Sequence, residues 1–175
     1  MRMRERLVLL CVGLALPGAA LAHKAHEHGV AKLDIGFDRG RLTVTLDTPL
    51  DNLVGFERAP RTDAERKATD AAVATLRDAG AMVRVDPAAQ CTPRPVEITS
   101  APLKLGPGGQ QAPDDHADLE AVYEFDCPGA APGFVEVGLF DAFRRMSRIE
   151  VQSATPKGQR KATLKRPAKR VELAR

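Results

Sequence analysis

The chain has 175 residues and a near-balanced charge, 26 Lys and Arg against 23 Asp and Glu, for a formal net charge of +3. Less a leader, that length fits one domain of ordinary size with a real core. No apolar run reaches the roughly 20 residues that a membrane-spanning helix needs, so no stable membrane anchor is expected.

The first residues are Arg2, Arg4, Glu5 and Arg6, followed by an apolar run over residues 7–16, then Pro17-Gly18 and the small-residue stretch Ala19-Ala20-Leu21-Ala22. A basic start, a short apolar centre and an Ala-x-Ala site describe a cleavable Sec-type signal peptide over residues 1–22. The mature chain, residues 23–175, would then work as a single periplasmic domain. Cys11 lies in the apolar run behind the large Leu10, which does not suit lipidation. Nucleic acid is not an expected partner of an exported chain.

Leu33, Ile35 and Phe37 alternate with polar or small residues, Asp38-Arg39-Gly40 turns the chain, and Leu42, Val44 and Leu46 alternate again, which predicts a β-hairpin ended by Pro49. Residues 52–60 read as a loop. Thr62-Asp63-Ala64-Glu65 is a capping box that opens a helix over residues 63–79, with Ala68, Ala72, Leu76 and Ala79 on its buried face and Gly80 as its stop. Short alternating segments at residues 82–85, 96–99, 119–127, 134–139, 149–153 and 161–164 read as strands. Residues 106–113 read as a flexible connection, and Pro156-Lys157-Gly158 as a turn joining two late strands. The expected fold is α+β: a mostly antiparallel sheet, in one version sandwich-like, with one amphipathic helix.

Charge is uneven along this plan. From Lys157 onward eight cations face Glu172 alone, giving the tail +7, while residues 23–156 carry −6. The basic tail reads as a solvated strand edge, where Lys also blocks aggregation, or as a contact for anionic lipid or an acidic protein. Removal of the leader takes Cys11 with it, so in an oxidising compartment Cys91 and Cys127 have one possible pairing. A disulfide between them is expected to stabilise by about 3 to 4 kcal/mol; the alternative is a pair of thiols gripping a metal, although their spacing is unlike a zinc knuckle.

All four histidines fall in two places. His23, His26 and His28 stand at the new N-terminus beside Glu27, and His116 stands among Asp114, Asp115, Asp118 and Glu120. Imidazole and carboxylate are donors that zinc accepts, and an extended segment points His26 and His28 to one side. The competing reading is a ragged terminus that only keeps the chain in solution. No nucleophile elbow, phosphate loop, His-Glu-x-x-His helix or free mature cysteine beside a histidine is present, so an enzyme is not expected.

The stretch His26-Glu-His-Gly-Val-Ala-Lys-Leu-Asp34, the run Thr48-Pro-Leu-Asp-Asn-Leu-Val-Gly-Phe-Glu57 continuing into Ala59-Pro-Arg-Thr-Asp-Ala64, residues 119–127, and Leu139-Phe-Asp-Ala-Phe143 through Thr155-Pro-Lys-Gly-Gln159 together resemble the ZrgA-like periplasmic proteins. The resemblance implies an accessory protein of zinc acquisition, working beside the periplasmic zinc-binding component of an ABC importer. It departs from the family at two places. The His, Asp and Glu tract before the second cysteine has shrunk to Asp114-Asp115-His116-Ala117-Asp118, and Arg58 stands where histidine often follows Gly-Phe-Glu. One reversible zinc site shared by the N-terminal histidines and His116 is what remains, with copper as the alternative ion. A protein-interaction module with no metal role is the reading from a different class.

Overall fold

The computed structural model describes residues 27–107 and 117–173. His23, His26, Asp114, Asp115 and His116 lie outside the described residues, as does the leader.

The expected hairpin is present as β1 (Val30–Asp38) and β2 (Arg41–Pro49), in antiparallel register from Lys32 opposite Asp47 to Asp38 opposite Arg41. Arg39 and Gly40 both take positive φ, 48° and 76°, as a two-residue turn between right-twisted strands requires. Leu33, Ile35, Leu42, Val44 and Leu46 are buried, and Lys32, Asp34, Thr43, Thr45 and Asp47 alternate with them on the other face.

Residues 52–60, expected as a loop, instead begin inside a short helix α1 (Leu50–Val54) that starts directly after Pro49 and ends at Gly55 in the left-handed region. The capping box holds: the Thr62 hydroxyl accepts from the Glu65 N–H, and helix α2 (Asp63–Leu76) follows. Its buried residues are Thr69, Val73 and Leu76, so the core-facing stripe is turned away from the alanine face expected from sequence, and Ala68 is exposed. Gly80 does not stop α2. Arg77 caps it, and Ala79 and Gly80 belong to a separate turn, α3 (Ala79–Met82), capped by the Asp78 side chain.

Strand β3 (Val83–Val85), a 3₁₀ turn (Pro87–Ala89), β4 (Thr92–Pro93) and β5 (Glu97–Thr99) lead to the long β6 (Asp118–Asp126). Next come β7 (Phe134–Val137) and the short α4 (Leu139–Ala142), where one strand was expected through residue 139, then β8 (Arg148–Thr155), β9 (Gly158–Lys165) and β10 (Arg170–Glu172).

The larger sheet runs β4-β6-β2-β1-β8-β9, with β5 also on β6; a second sheet runs β10-β7-β3. Every pairing is antiparallel except β1 with β8. The fold is thus α+β with a mostly antiparallel sheet, as expected. Buried side chains from both sheets, α1, α2 and α4 form one hydrophobic cluster.

The tail is only partly a solvated edge. Gly158–Lys165 is the exposed edge strand β9, but Val171 and Leu173 are buried and β10 pairs with β7. Arg166 donates to the carbonyls of Phe140, Phe143 and Met146 at 2.5–3.2 Å, Lys169 pairs with Asp141, and Arg170 lies over the Phe134 ring. Cys91 and Cys127 are joined in a disulfide, tying the end of β6 to the segment before β4.

Candidate metal site at one end of the sheet

The two histidine-bearing segments precede β1 and β6 in the chain. Lys32, Asp47 and Glu120 share one cross-strand row, and Pro49 lies opposite Asp118. Counting back along β1 puts Val30 level with Pro49 and Asp118. Strands β1 and β6 therefore start at the same end of the sheet and run parallel, with β2 between them. Two inter-strand spacings separate them, about 10 Å. His28 precedes Val30 by two residues, and His116 precedes Asp118 by two.

Helix α1 fastens both strand starts. The Leu50 N–H donates to the Ala117 carbonyl at 2.8 Å, which holds the residue after His116. The Gly29 N–H donates to Asn52 Oδ1 at 2.6 Å, which holds the residue after His28. Asn52, 1% exposed, also donates from Nδ2 to the Val30 carbonyl at 2.8 Å and to Thr48 Oγ1 at 2.9 Å. A buried amide with its hydrogen-bonding capacity used this fully is a rigid anchor.

Two glycines permit the close approach. Gly29 has φ +82°, its carbonyl accepts from the N–H groups of Ser147 and Arg148, and a Cβ there would stand 2.8 Å from Ser147 Oγ. Gly55 has φ +86°, and a Cβ there would meet the Arg145 guanidinium at 2.7 Å.

His28 reaches the loop after α1, where its Nε2 lies 3.0 Å from Glu57 Oε1, both side chains open to solvent. Two donors on one tetrahedral zinc, each about 2.05 Å from the ion, are about 3.3 Å apart. At 3.0 Å the pair is a direct imidazole–carboxylate contact, and only a few tenths of an ångström separate it from the spacing that a shared zinc ion would require. Around it Glu27 pairs with Arg148 at 2.6 Å and Asp51 with Arg145 at 3.9 Å, so nearby cations already have acidic partners.

Asp118 is the half-buried first residue of β6, and its carbonyl accepts from Ser100 Oγ. Glu120 is exposed on the polar face, directly opposite Asp47 on β2 and Thr99 on β5. Like charges directly opposite on a sheet repel, and Lys32 on the far side of Asp47 offsets this. Among the described residues, no three His, Cys, Asp or Glu side chains are grouped to hold a metal ion. Of the expected ligands, His28, Asp118 and Glu120 are therefore placed at one end of the sheet without forming a complete site by themselves.

Sequence reasoning missed Glu57. Glu57 was visible as the end of the Gly-Phe-Glu motif, and its distance from His28 in the chain hid the pairing. Arg58, noted only as a lost histidine, has a structural task. It forms a two-pronged ion pair with Glu65 at 2.9 and 2.7 Å and lies over the Phe56 ring at 5.0 Å, joining the loop to the start of α2. The Arg58 guanidinium, with the N–H groups of Arg61 and Thr62, pulls the Glu65 carboxyl down to about 2.

The described residues form a mixed α+β fold with His28 and several carboxylates at one end of its larger sheet. Residues 25–173 match the family model described as ZrgA family zinc uptake protein. The chain belongs to that family, and its role is in zinc uptake. No match was found among curated proteins. No helix among the described residues is long and apolar enough to cross a membrane.

Proposed function

We infer that this chain is an exported zinc carrier that captures the ion in the periplasm and passes it to the zinc-binding component of an ABC importer. Zinc is its cargo. Residues 1–22 act as the export leader, and no catalytic group is needed, because capture and handover break no covalent bond. The ligands are drawn from His23, His26 and His28 on one side and His116 with Asp114, Asp115, Asp118 and Glu120 on the other, and Glu57 joins them through its pairing with His28.

One observation carries this reading. The single helix α1 grips the residue after His28 and the residue after His116, through Asn52 and Leu50 respectively, which supports drawing ligands from both segments. About 10 Å between the strand starts is within reach of two imidazole side chains on short leads. A site assembled from two chain segments binds reversibly, since ordering the ligands costs free energy that the ion must offset. Mild acidification releases the ion as imidazoles take up protons.

Calorimetric titration of the mature chain with zinc, repeated on His26→Ala/His28→Ala, tests the reading. Binding of one ion per chain, weakened at least tenfold in the variant, supports it. Absence of zinc-dependent heat at micromolar protein ends it; tighter binding of copper is expected of any imidazole and carboxylate site and does not decide the cargo.

A further inference from the structure

Strand β9 (Gly158–Lys165) is the only edge strand longer than three residues among the described residues. The opposite margin of its sheet is closed by β4 and β5, of two and three residues, and the second sheet has strands of three or four. Apart from Leu164, every residue of β9 is exposed. Thr155 and Gly158 are paired across the two-residue turn, and such a turn closes on a hydrogen-bonded pair. By alternation Gln159, Lys161 and Thr163 direct their N–H and C=O groups away from β8, toward solvent.

The edge is also cationic, with Glu150, opposite Thr163 on β8 and paired with Arg148, as the one carboxylate in its register among the described residues. Lys161 stands opposite Gln152, Arg160 opposite Ser153 and Lys165 opposite Arg148. None of Lys157, Arg160, Lys161 or Lys165 has an ion-pair partner among the described residues. Elsewhere in the tail the cations are used, as for Lys169 with Asp141 and Arg170 with Glu172.

We propose that β9 is a docking edge for an extended acidic strand of a partner protein, which adds to the sheet by main-chain hydrogen bonds and sets carboxylates beside Lys161 and Lys165. The pleat sets the pattern required. Lys161, Thr163 and Lys165 share one face and Ala162 and Leu164 the other, so the partner strand alternates acidic and apolar residues. A second copy of this chain is disfavoured, because pairing β9 with itself brings cation against cation. A lipid surface fits less well: it cannot satisfy a row of backbone N–H groups, and Arg160 projects to the opposite face from Lys161 and Lys165.

The test uses an octapeptide alternating Glu and Val, capped at both ends and N-methylated on Val so that it cannot stack on itself, titrated into the isotopically labelled mature chain at low salt. The expected result is a set of amide shift changes confined to residues 158–165, with affinity falling at least tenfold in Lys161→Glu/Lys165→Glu and on raising salt to 0.3 M. The same peptide methylated on Glu instead loses the N–H groups facing β9 and should not bind. Thr163→Pro removes one outward N–H without touching the pairing to β8 and should also abolish binding; if that variant does not fold, the charge reversal decides. No shifts at millimolar peptide, equal binding of both methylated peptides, self-association through β9, or binding to anionic vesicles in place of the peptide overturns the proposal.

Discussion

Replacing Asn52 with Ala is the most informative stability perturbation, because one side chain holds the residue after His28, the start of β1 and the end of β2 at once. The amide is 1% exposed and makes three hydrogen bonds of 2.6 to 2.9 Å. Each contributes about 1 kcal/mol net, and stranding the backbone groups of Gly29 and Val30 adds to the loss, so the cost is roughly 2 to 4 kcal/mol. For a domain of this size that lowers Tm by roughly 4 to 16 °C. Urea unfolding of the mature chain measures it, with an unchanged m value showing that stability alone has shifted. Thr48→Val, which removes one of the three bonds, should cost about 1 kcal/mol, and the two effects should be less than additive because the side chains share a bond. The variant should also bind zinc several-fold more weakly, since the segment carrying His28 loses its anchor. A loss below about 1 kcal/mol for Asn52→Ala would show that water or backbone shifts replace the amide and that α1 is not the clamp described above.

Three further outcomes are expected. The Glu65 carboxyl sits at about 2 in the folded chain against an ordinary 4.5. Its contribution is therefore complete above about pH 4.5 and lost as pH falls toward 2, so Glu65→Gln should flatten that part of the stability profile, read by thermal unfolding across pH. Arg166→Ala removes the donors that cap the carbonyls of Phe140, Phe143 and Met146 and should cost about 2 kcal/mol in urea unfolding. The buried Tyr123 hydroxyl has no hydrogen-bond partner among the described residues, and burial pushes the phenol up; Tyr123→Phe should leave the fold intact and raise stability by up to about 1 kcal/mol.

The parts of this fold written in local pattern were legible. Period-two alternation fixed the hairpin and the long strand through Tyr123 and Phe125, and Thr62 with Glu65 marked the start of α2. What depended on tertiary contact was not. Helix α1 is five residues long, too short for a periodic signal, and exists because Leu50 and Asn52 find partners in the core. The buried face of α2 was misjudged because its alanines fit either side of a helix, whereas Val73 and Leu76 select the core. The parallel pairing of β1 with β8 joins segments over 110 residues apart and leaves no local trace. The candidate donors were visible as residue types, but the shared level of Val30 and Asp118 emerges only from the register of the sheet, and the pairing of His28 with Glu57 only from the fold of the loop after α1.

The convergence of two segments on one ion is tested most directly by a double-mutant cycle on zinc affinity. The dissociation constant is measured for the mature chain, His28→Ala, His116→Ala and the double variant. Convergence requires that each single variant bind at least tenfold more weakly and that the double variant be little weaker than either, because removing one ligand already dismantles the shared site. Effects that multiply independently, or zinc affinity indifferent to both histidines, would contradict it.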